Sequence, residues 1–295
     1  MKKGNLLKKI KELRRRNTHC LPSLRVKSEA GAAKFIEKVG FCLLFPLNVG
    51  ARIEPLPSLY DAACGGDRRL MAGWSETMQR LWTWKDEIAA HKKAFFGKFF
   101  KGRPSFISLE FLPDYFSLSG NYGSLEDYQE VYEDGRITPE AKKICDVLYE
   151  KGSLPTVRLR REAGLRGKRG GYRFERAIRE LQKSLLVANV GIYEGESAWP
   201  SIIVDLLPRI FPEAVKKSKK IQEEEARKKI LQKYLDIVVV IHEKDVSPLL
   251  SWEKEKVYAT LQSLLKEKRI LLERGGLFMS WSLRKKGLTI GRMTD

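Results

Sequence analysis

The chain has 295 residues, of which 56 are Lys or Arg and 37 are Asp or Glu, so its formal net charge is +19 at pH 7. This length allows two or three domains with sizeable cores, and a hydrophobic content of 43% with 10% aromatic residues excludes a wholly disordered chain. No apolar run reaches the roughly 18 residues of a membrane-spanning helix, and the basic start lacks the apolar core of an export signal, so we expect a cytoplasmic protein with a polyanionic partner.

The positive charge is concentrated in two short segments. Residues 1–27 contain ten Lys or Arg and one acidic residue, a net charge of +9, and residues 151–183 contain 11 and three, a net charge of +8. The net charge is −3 over residues 28–150 and +5 over residues 184–295. A clustered surplus of this kind is typical of a contact surface.

The first basic segment predicts an amphipathic helix over residues 5–16. Leu6, Leu7, Ile10 and Leu13 lie near one helical face, and Lys and Arg fill the rest. We interpret it as a helix that is docked on the body of the protein and also contacts phosphate. A free nucleic-acid-binding arm and a membrane-surface helix are the alternatives.

Residues 28–135 are expected to form an N-terminal domain. The segment 29–41 predicts a helix, and the aromatic-rich segment 74–100 is expected to be a single longer helix. A stretch rich in Gly, Asp and Glu, residues 119–136, indicates a linker to the next domain.

The pattern over residues 136–215 predicts a winged helix. Thr138, followed by proline, marks the start of a first helix, and a short second helix follows. A third helix is expected over residues 167–186, and two strands follow around a turn at Glu194–Gly195. Helix, helix, helix and hairpin is the order of a winged helix.

The third helix of this module is the candidate DNA-binding element. Its outward face and its N-terminal end carry six cationic or aromatic residues, which are Lys168, Arg169, Tyr172, Arg173, Arg176 and Arg179. A winged helix presents this helix to the major groove and its hairpin to a neighbouring groove or the backbone, so double-stranded DNA is the expected partner. RNA is less favoured because no strand shows an aromatic stacking motif, and protein contact is the alternative. The glycine-rich string Gly164–Gly171 is interpreted as a flexible basic turn.

A second module with the same order is predicted over residues 216–295. Its first helix is expected over 224–243 and its third over 253–269, and Gly275–Gly276 predicts the hairpin turn. The third helix is evenly charged, which favours packing on protein over contact with DNA.

The four cysteines, Cys20, Cys42, Cys64 and Cys145, form no CxxC pair. We expect them to be reduced thiols, since paired cysteines are the usual zinc ligands and no secretory signal is present. Neither a Walker A motif nor a Rossmann glycine string occurs, so no metal ion or cofactor is expected.

The expected fold class is α+β, mainly α, with tandem winged-helix modules. The expected domains are a basic N-terminal helix or arm (1–27), an N-terminal domain (28–135), a winged-helix DNA-binding domain (136–215) and a C-terminal winged-helix domain (216–295).

This order of modules and one local string resemble the AlkZ/YcaQ-like family of winged-helix DNA glycosylases, and the divergent AlkZ-related branch most closely. The string is EAGAAKFIEKVGFCLLFPLNVGARIEP, and four of its residues fit the family frame: Gly40, Phe41, Val49 and Arg52. The resemblance covers residues 28–283. It implies a winged-helix-like N-terminal domain that holds the active-site region and an association with the repair of alkylated or crosslinked DNA.

The sequence departs from the family at the positions that the resemblance implies are catalytic. The family's Gln-x-Asp or Gln-x-Gln element falls on Leu43 and Phe45, and its His falls on Glu54. A glycosylase must position a water and stabilise a cationic sugar, which leucine and phenylalanine cannot do. The candidate replacements are Glu54, Asp86 and Glu87 as catalytic acids and Arg52 as a contact to phosphate or sugar, the alternative being that the acids are solvated surface residues.

Three functions remain open from the sequence. The missing Gln-x-Asp element favours a DNA-binding protein associated with repair, located on the nucleoid, over an active glycosylase that uses non-standard acids. A winged-helix transcriptional regulator that uses residues 138–204 is the third, and the long N-terminal domain without an obvious ligand or dimer motif disfavours it.

Overall fold

The computed structural model describes residues 3–47, 56–67, 75–195, 200–273 and 275–281, with side chains from Lys8 onwards. The chain is mainly helical with short β-strands, which confirms the predicted α+β, mainly α class. It divides into two compact units: unit 1 comprises Met1–Gln79 and Glu223–Asp295, and unit 2 comprises Arg80–Gln222. The four predicted domains stay a prediction. No helix in the described ranges is both long enough and apolar enough to span a membrane.

Unit 1 begins with three helices and one short strand, α1 (Lys3–Asn17), α2 (Glu29–Val39), β1 (Phe41–Leu43) and α3 (Leu59–Cys64). Helix α2 starts where the Ser28 hydroxyl accepts a hydrogen bond from the Gly31 amide, and it ends at Gly40, whose φ is 77°. It buries Phe35 and Ile36, as its spacing predicts.

The next elements are α4 (Glu76–Ala90), β2 (Ala94–Gly97), β3 (Ser105–Ser108), α5 (Leu112–Ser117) and α6 (Asp127–Glu133). The prediction of a single helix over 74–100 is wrong, because α4 ends at Ala90 and β2 pairs antiparallel with β3. Lys92, with φ of 52°, breaks the helix. The phenylalanines of β2 are then buried in a strand.

The prediction that residues 119–136 form a linker is also wrong. This segment contains α6, and Tyr128 and Val131 from this helix pack into the same core as Ile144 and Phe174 of unit 2. Acidic residues dominate the exposed face of α6 and mask its short apolar stripe in the sequence. The segment is therefore part of the packed unit.

The remainder of unit 2 contains α7 (Pro139–Lys151), β4 (Leu154–Pro155), α8 (Thr156–Glu162), α9 (Gly167–Lys183), β5 (Val187–Tyr193), β6 (Ser201–Leu206), α10 (Leu207–Ile210) and α11 (Pro212–Ser218). The three strands form an antiparallel sheet in the order β4-β6-β5. The predicted cap is present, since the Thr138 hydroxyl accepts from the Ala141 amide at the start of α7.

The second part of unit 1 contains α12 (Glu223–Val238), β7 (Val240–His242), α13 (Glu243–Leu250), α14 (Lys254–Lys266), β8 (Ile270–Glu273) and β9 (Leu277–Ser280). Element order and sheet order, β7-β9-β8, repeat those of unit 2. The predicted helix over 224–243 is wrong after Val238, because the β-branched residues that follow form β7. The predicted turn is observed, with positive φ at both Gly275 and Gly276.

Helix α1 docks on α12 within unit 1. The Arg14 guanidinium donates to the carbonyls of Val238 and Val240, where α12 ends, and the Asn17 amide donates to the carbonyl of Asp236. A cation at a helix C-terminus complements the helix dipole, so Arg14 stabilises both helices. The docking expected from the sequence is therefore observed.

Candidate nucleic-acid interface

Helix α9 carries the six residues that the sequence singles out for DNA contact. Its inward stripe buries Phe174, Ile178 and Leu181 in the core of unit 2. Because this stripe fixes the rotation of the helix, the opposite face is held towards solvent. The six residues on that face are all exposed, and they are Lys168, Arg169, Tyr172, Arg173, Arg176 and Arg179.

Five of the six line an open groove of about 500 Å³ beside the start of α9. The rest of the lining comes from α7, through Thr138 and Glu140. Arg173 lies 3.4 Å from the Glu140 carboxylate, but its side chain is 63% exposed, so the pair is weak. One acid thus faces four cations, and Tyr172, 73% exposed, stands among them.

The first turn of α9 adds to the positive potential. The helix begins at Gly167, which has φ of 74°, with no acidic residue in its first turn and no side-chain cap. Free N–H groups at a helix N-terminus favour phosphate. The interpretation of Gly164–Gly171 as a flexible turn is wrong from Gly167 onwards, since these residues are helical.

Gly170 allows this turn to approach the preceding backbone closely. A Cβ atom at this position would lie 2.5 Å from the carbonyl carbon of Leu165 and 2.6 Å from its oxygen. At the neighbouring Gly171, a Cβ would meet only the end of the Arg160 side chain, at 3.5 Å. The two adjacent glycines therefore differ, and only the first is required by packing.

Arg179 lies outside the groove. It sits about three turns after Lys168 along α9, and its aliphatic carbons pack over Gly102, where a Cβ would come 3.2 Å from Arg179 Cδ. The structure therefore brings together five of the predicted residues and places the sixth beside the turn Phe100–Gly102.

Side-chain hydrogen bonds anchor the C-terminal end of α9. The Thr138 hydroxyl donates to the Glu180 carboxylate at 2.6 Å, which ties the start of α7 to α9. The buried Gln182 amide donates to the Asn189 side chain on β5 at 2.7 Å, and its oxygen accepts from the Lys98 amide. These contacts fix the last turn of α9, and its buried apolar stripe holds the rest of the helix against the core.

The hairpin that follows α9 is tied to α8. Arg158 donates to the Tyr193 hydroxyl at 2.9 Å, and its guanidinium lies 5.0 Å from the centre of the Tyr193 ring. Gly195 lies two residues further along the chain, and a Cβ there would lie 2.5 Å from the Tyr193 ring. The described part of the hairpin is therefore held against the helix that precedes α9.

The two acids predicted on α4 differ in their surroundings, and their catalytic role stays a prediction. Glu87 is exposed, whereas the Asp86 side chain is 16% exposed and accepts a hydrogen bond from Lys85 Nζ at 2.6 Å. Lys85 is buried, with its Nζ 4.3 Å from the centre of the Trp82 ring. Burial lowers the pKa of Lys85, and the hydrogen bond to Asp86 opposes this shift.

Sequence reasoning overlooked Lys85, although a signal was present. The buried positions of α4 include Leu81, Trp84 and Ile88, and Lys85 falls within that helical stripe. A lysine on an inward stripe with an adjacent aspartate indicates a buried ion pair.

The titration of Lys85 gives a measurable pH effect. Between its lowered pKa and the ordinary value near 10.5, the unfolded chain binds more protons than the folded chain, so the free energy of unfolding rises with pH. Lys85→Met should lack this rise, whereas Lys143→Met, at an exposed lysine, should keep it. Urea unfolding followed by Trp fluorescence at several alkaline pH values measures the difference. Parallel curves for the wild type and Lys85→Met would contradict the assignment.

The two positions onto which the resemblance places the family's catalytic element, Leu43 and Phe45, are apolar and packed. Leu43 is fully buried in β1, and the Phe45 ring lies 6.2 Å from the ring of Tyr60. Arg52 and Glu54 lie outside the described residues. Within the described part of the chain, no three His, Cys, Asp or Glu side chains gather closely enough to hold a metal ion.

Two of the three comparisons with known proteins found a match. A family model described as AlkZ related matches residues 26–251, which is most of the chain. No curated protein matches. The fold is similar to the solved structure of the Streptomyces sahachiroi DNA glycosylase AlkZ, with a TM-score of 0.53 and 14% identity over 93% of this chain and 70% of that chain. At this identity, the likeness shows a shared fold, and the family match shows that the chain belongs to the AlkZ-related family.

Proposed function

We propose that this protein is a DNA-binding member of the AlkZ-related family, associated with DNA repair, and that it holds duplex DNA on the outward face of α9. The observation that carries the proposal is the groove of four cations and one exposed tyrosine on a helix with an uncapped N-terminus, whose opposite face is buried in the core. A protein of this function acts on chromosomal DNA in the cytoplasm.

The topology supports α9 as a recognition helix. Units 1 and 2 each contain the order helix, strand, helix, helix, strand, strand. In each of these sheets, the first strand pairs with the last. This is the order of a winged helix, in which the third helix enters the major groove. In unit 2 that helix is α9, and the hairpin β5–β6 is the wing.

The side chains on α9 divide by what they can contact. Lysine and arginine bind phosphate as cations, and an arginine can also donate two hydrogen bonds to a guanine edge. The exposed ring of Tyr172 can stack on an unpaired base, and such bases are most accessible where a duplex is damaged. We therefore expect most of the affinity to come from phosphate contacts, which are independent of sequence.

Binding is tested by fluorescence anisotropy with a labelled duplex at several salt concentrations. Four phosphate contacts through the groove cations should contribute about −3.6 to the slope of log K against log salt, at about 0.9 for each contact. An absence of duplex binding at low salt would overturn the proposal. Tight binding to a single short sequence would instead favour a transcriptional regulator.

Glycosylase activity is the second candidate, because the fold is shared with a protein described as a DNA glycosylase. The buried apolar Leu43 and the pairing of Asp86 with Lys85 favour binding over chemistry. We expect no release of bases above buffer from duplexes that bear alkylated purines or a nitrogen-mustard crosslink, measured as abasic sites. If release occurs, Glu54→Gln should reduce its rate by about 10²-fold, the scale for a catalytic acid or base. An unchanged rate would remove Glu54 from the site.

A further inference from the structure

We infer that α1 presents a second phosphate-binding surface, and that its ligand is the backbone of double-stranded DNA. The surface, which we name the α1 basic face, consists of Lys8, Lys11, Arg15 and Arg16. It belongs to unit 1, whereas the α9 groove belongs to unit 2. The inference rests on the proposed function because it takes the same ligand.

The orientation of α1 is fixed by its contacts with α12 and β7. Arg14 donates to two backbone carbonyls there, and Asn17 donates to those of Asp236 and Ile237 at 2.8 and 3.1 Å. Ile10, which is 8% exposed, packs into a cluster with Val239. Because polar and apolar contacts anchor the same side of α1, its opposite side faces solvent.

The α1 basic face is left with unneutralised charge. All four of its residues are exposed, and none of them makes an ion pair with another part of the chain that the structure describes. Glu12 is the single acidic residue of α1. Lys8, Lys11 and Arg15 lie three and four residues apart, so they form one stripe about 10 Å long, which is long enough to meet several phosphates of a duplex.

Docking also distinguishes DNA from a membrane as the ligand. A helix that lies on a membrane inserts its apolar face among the lipids. On α1, the apolar residues Ile10 and Leu13 pack instead on the cluster that contains Val239 and Met279. From Lys8 onwards, where its side chains are described, α1 therefore offers cations while its apolar residues are packed on the protein, which suits a phosphate backbone in water.

The test is a triple substitution, Lys8→Gln with Lys11→Gln and Arg15→Gln, in the full chain. Removing three phosphate contacts should reduce the slope of log K against log salt by about 2.7 and weaken duplex binding by about 10²-fold near 0.15 M salt. The melting temperature should not change, because these side chains hold no docking contact. The matched control, Lys216→Gln with Lys217→Gln and Lys220→Gln, makes the same change in net charge in unit 2 and should leave the slope in place.

Each other outcome overturns the inference. If the triple variant keeps the wild-type slope while substitutions in the α9 groove still weaken duplex binding, α1 is not part of the interface. The proposed function then stays intact. Binding of the wild type to phosphatidylglycerol vesicles that is lost in the triple variant, with duplex binding unchanged, would assign α1 to a membrane surface. A wild-type protein that binds no duplex would overturn this inference together with the proposed function.

Discussion

Reversing two charges on α9, with Arg173→Glu and Arg176→Glu together, is expected to weaken duplex binding by about 10²-fold and to reduce the salt slope by about 2. Two cations that line the groove are lost, and two anions then repel the phosphates. Both side chains are exposed, so the fold should be unaffected. Anisotropy titrations at several salt concentrations give both quantities, and circular dichroism reports the fold.

The matched control for this experiment is Lys216→Glu with Lys217→Glu on α11. These lysines are also exposed in unit 2, and the change in net charge is identical. If both double variants weaken binding equally, the effect comes from overall charge, and α9 is not the recognition helix.

Gly170→Ala is expected to lower the free energy of unfolding by about 2 kcal/mol, within the range found for overpacked positions. The new Cβ would lie 2.5 Å from the Leu165 carbonyl carbon, and a backbone group cannot rotate away as a side chain can. The start of α9 must therefore shift, which moves Lys168 and Arg169, so duplex affinity should fall as well. Chemical denaturation and anisotropy measure the two effects.

Gly171→Ala is the control, and its expected effect has the opposite sign. The added Cβ meets only the flexible end of Arg160, and alanine in a helix is about 0.5–1 kcal/mol more favourable than glycine. We expect a small gain in stability and unchanged DNA affinity. Equal destabilisation by the two substitutions would show that the turn before α9 is not in close contact with Leu165.

The face of α9 could be predicted because its information is local. Phe174, Ile178 and Leu181 recur at helical spacing, and a helix with one apolar stripe has one outward face. The contribution of Glu140 to the groove could not be predicted in this way. It depends on how α7 packs against α9, and neither helix encodes that contact alone.

Two of the boundary errors have different physical causes. The prediction that α12 continues past Val238 did not take into account the β-branched residues that follow. These residues are a strand signal that the sequence contains. The ending of α4 at Ala90 depends on Lys92 in a left-handed conformation and on the pairing of β2 with β3, which is a non-local contact. The failure to predict a role for Lys85 has a third cause. Lys85 lies on the buried stripe of α4, where a charged side chain is not expected.

The discontinuity of unit 1 has a consequence for biosynthesis. Unit 2 is one continuous segment, so its contacts can form while the ribosome is still adding α12 to α14. Unit 1 cannot be completed in that way, since the carbonyls that Arg14 binds lie 224 and 226 residues further along the chain. During most of translation, the docking site of α1 has therefore not yet been synthesised, and Ile10 stays exposed to solvent. The docking of α1 is a late folding step that closes a very long loop.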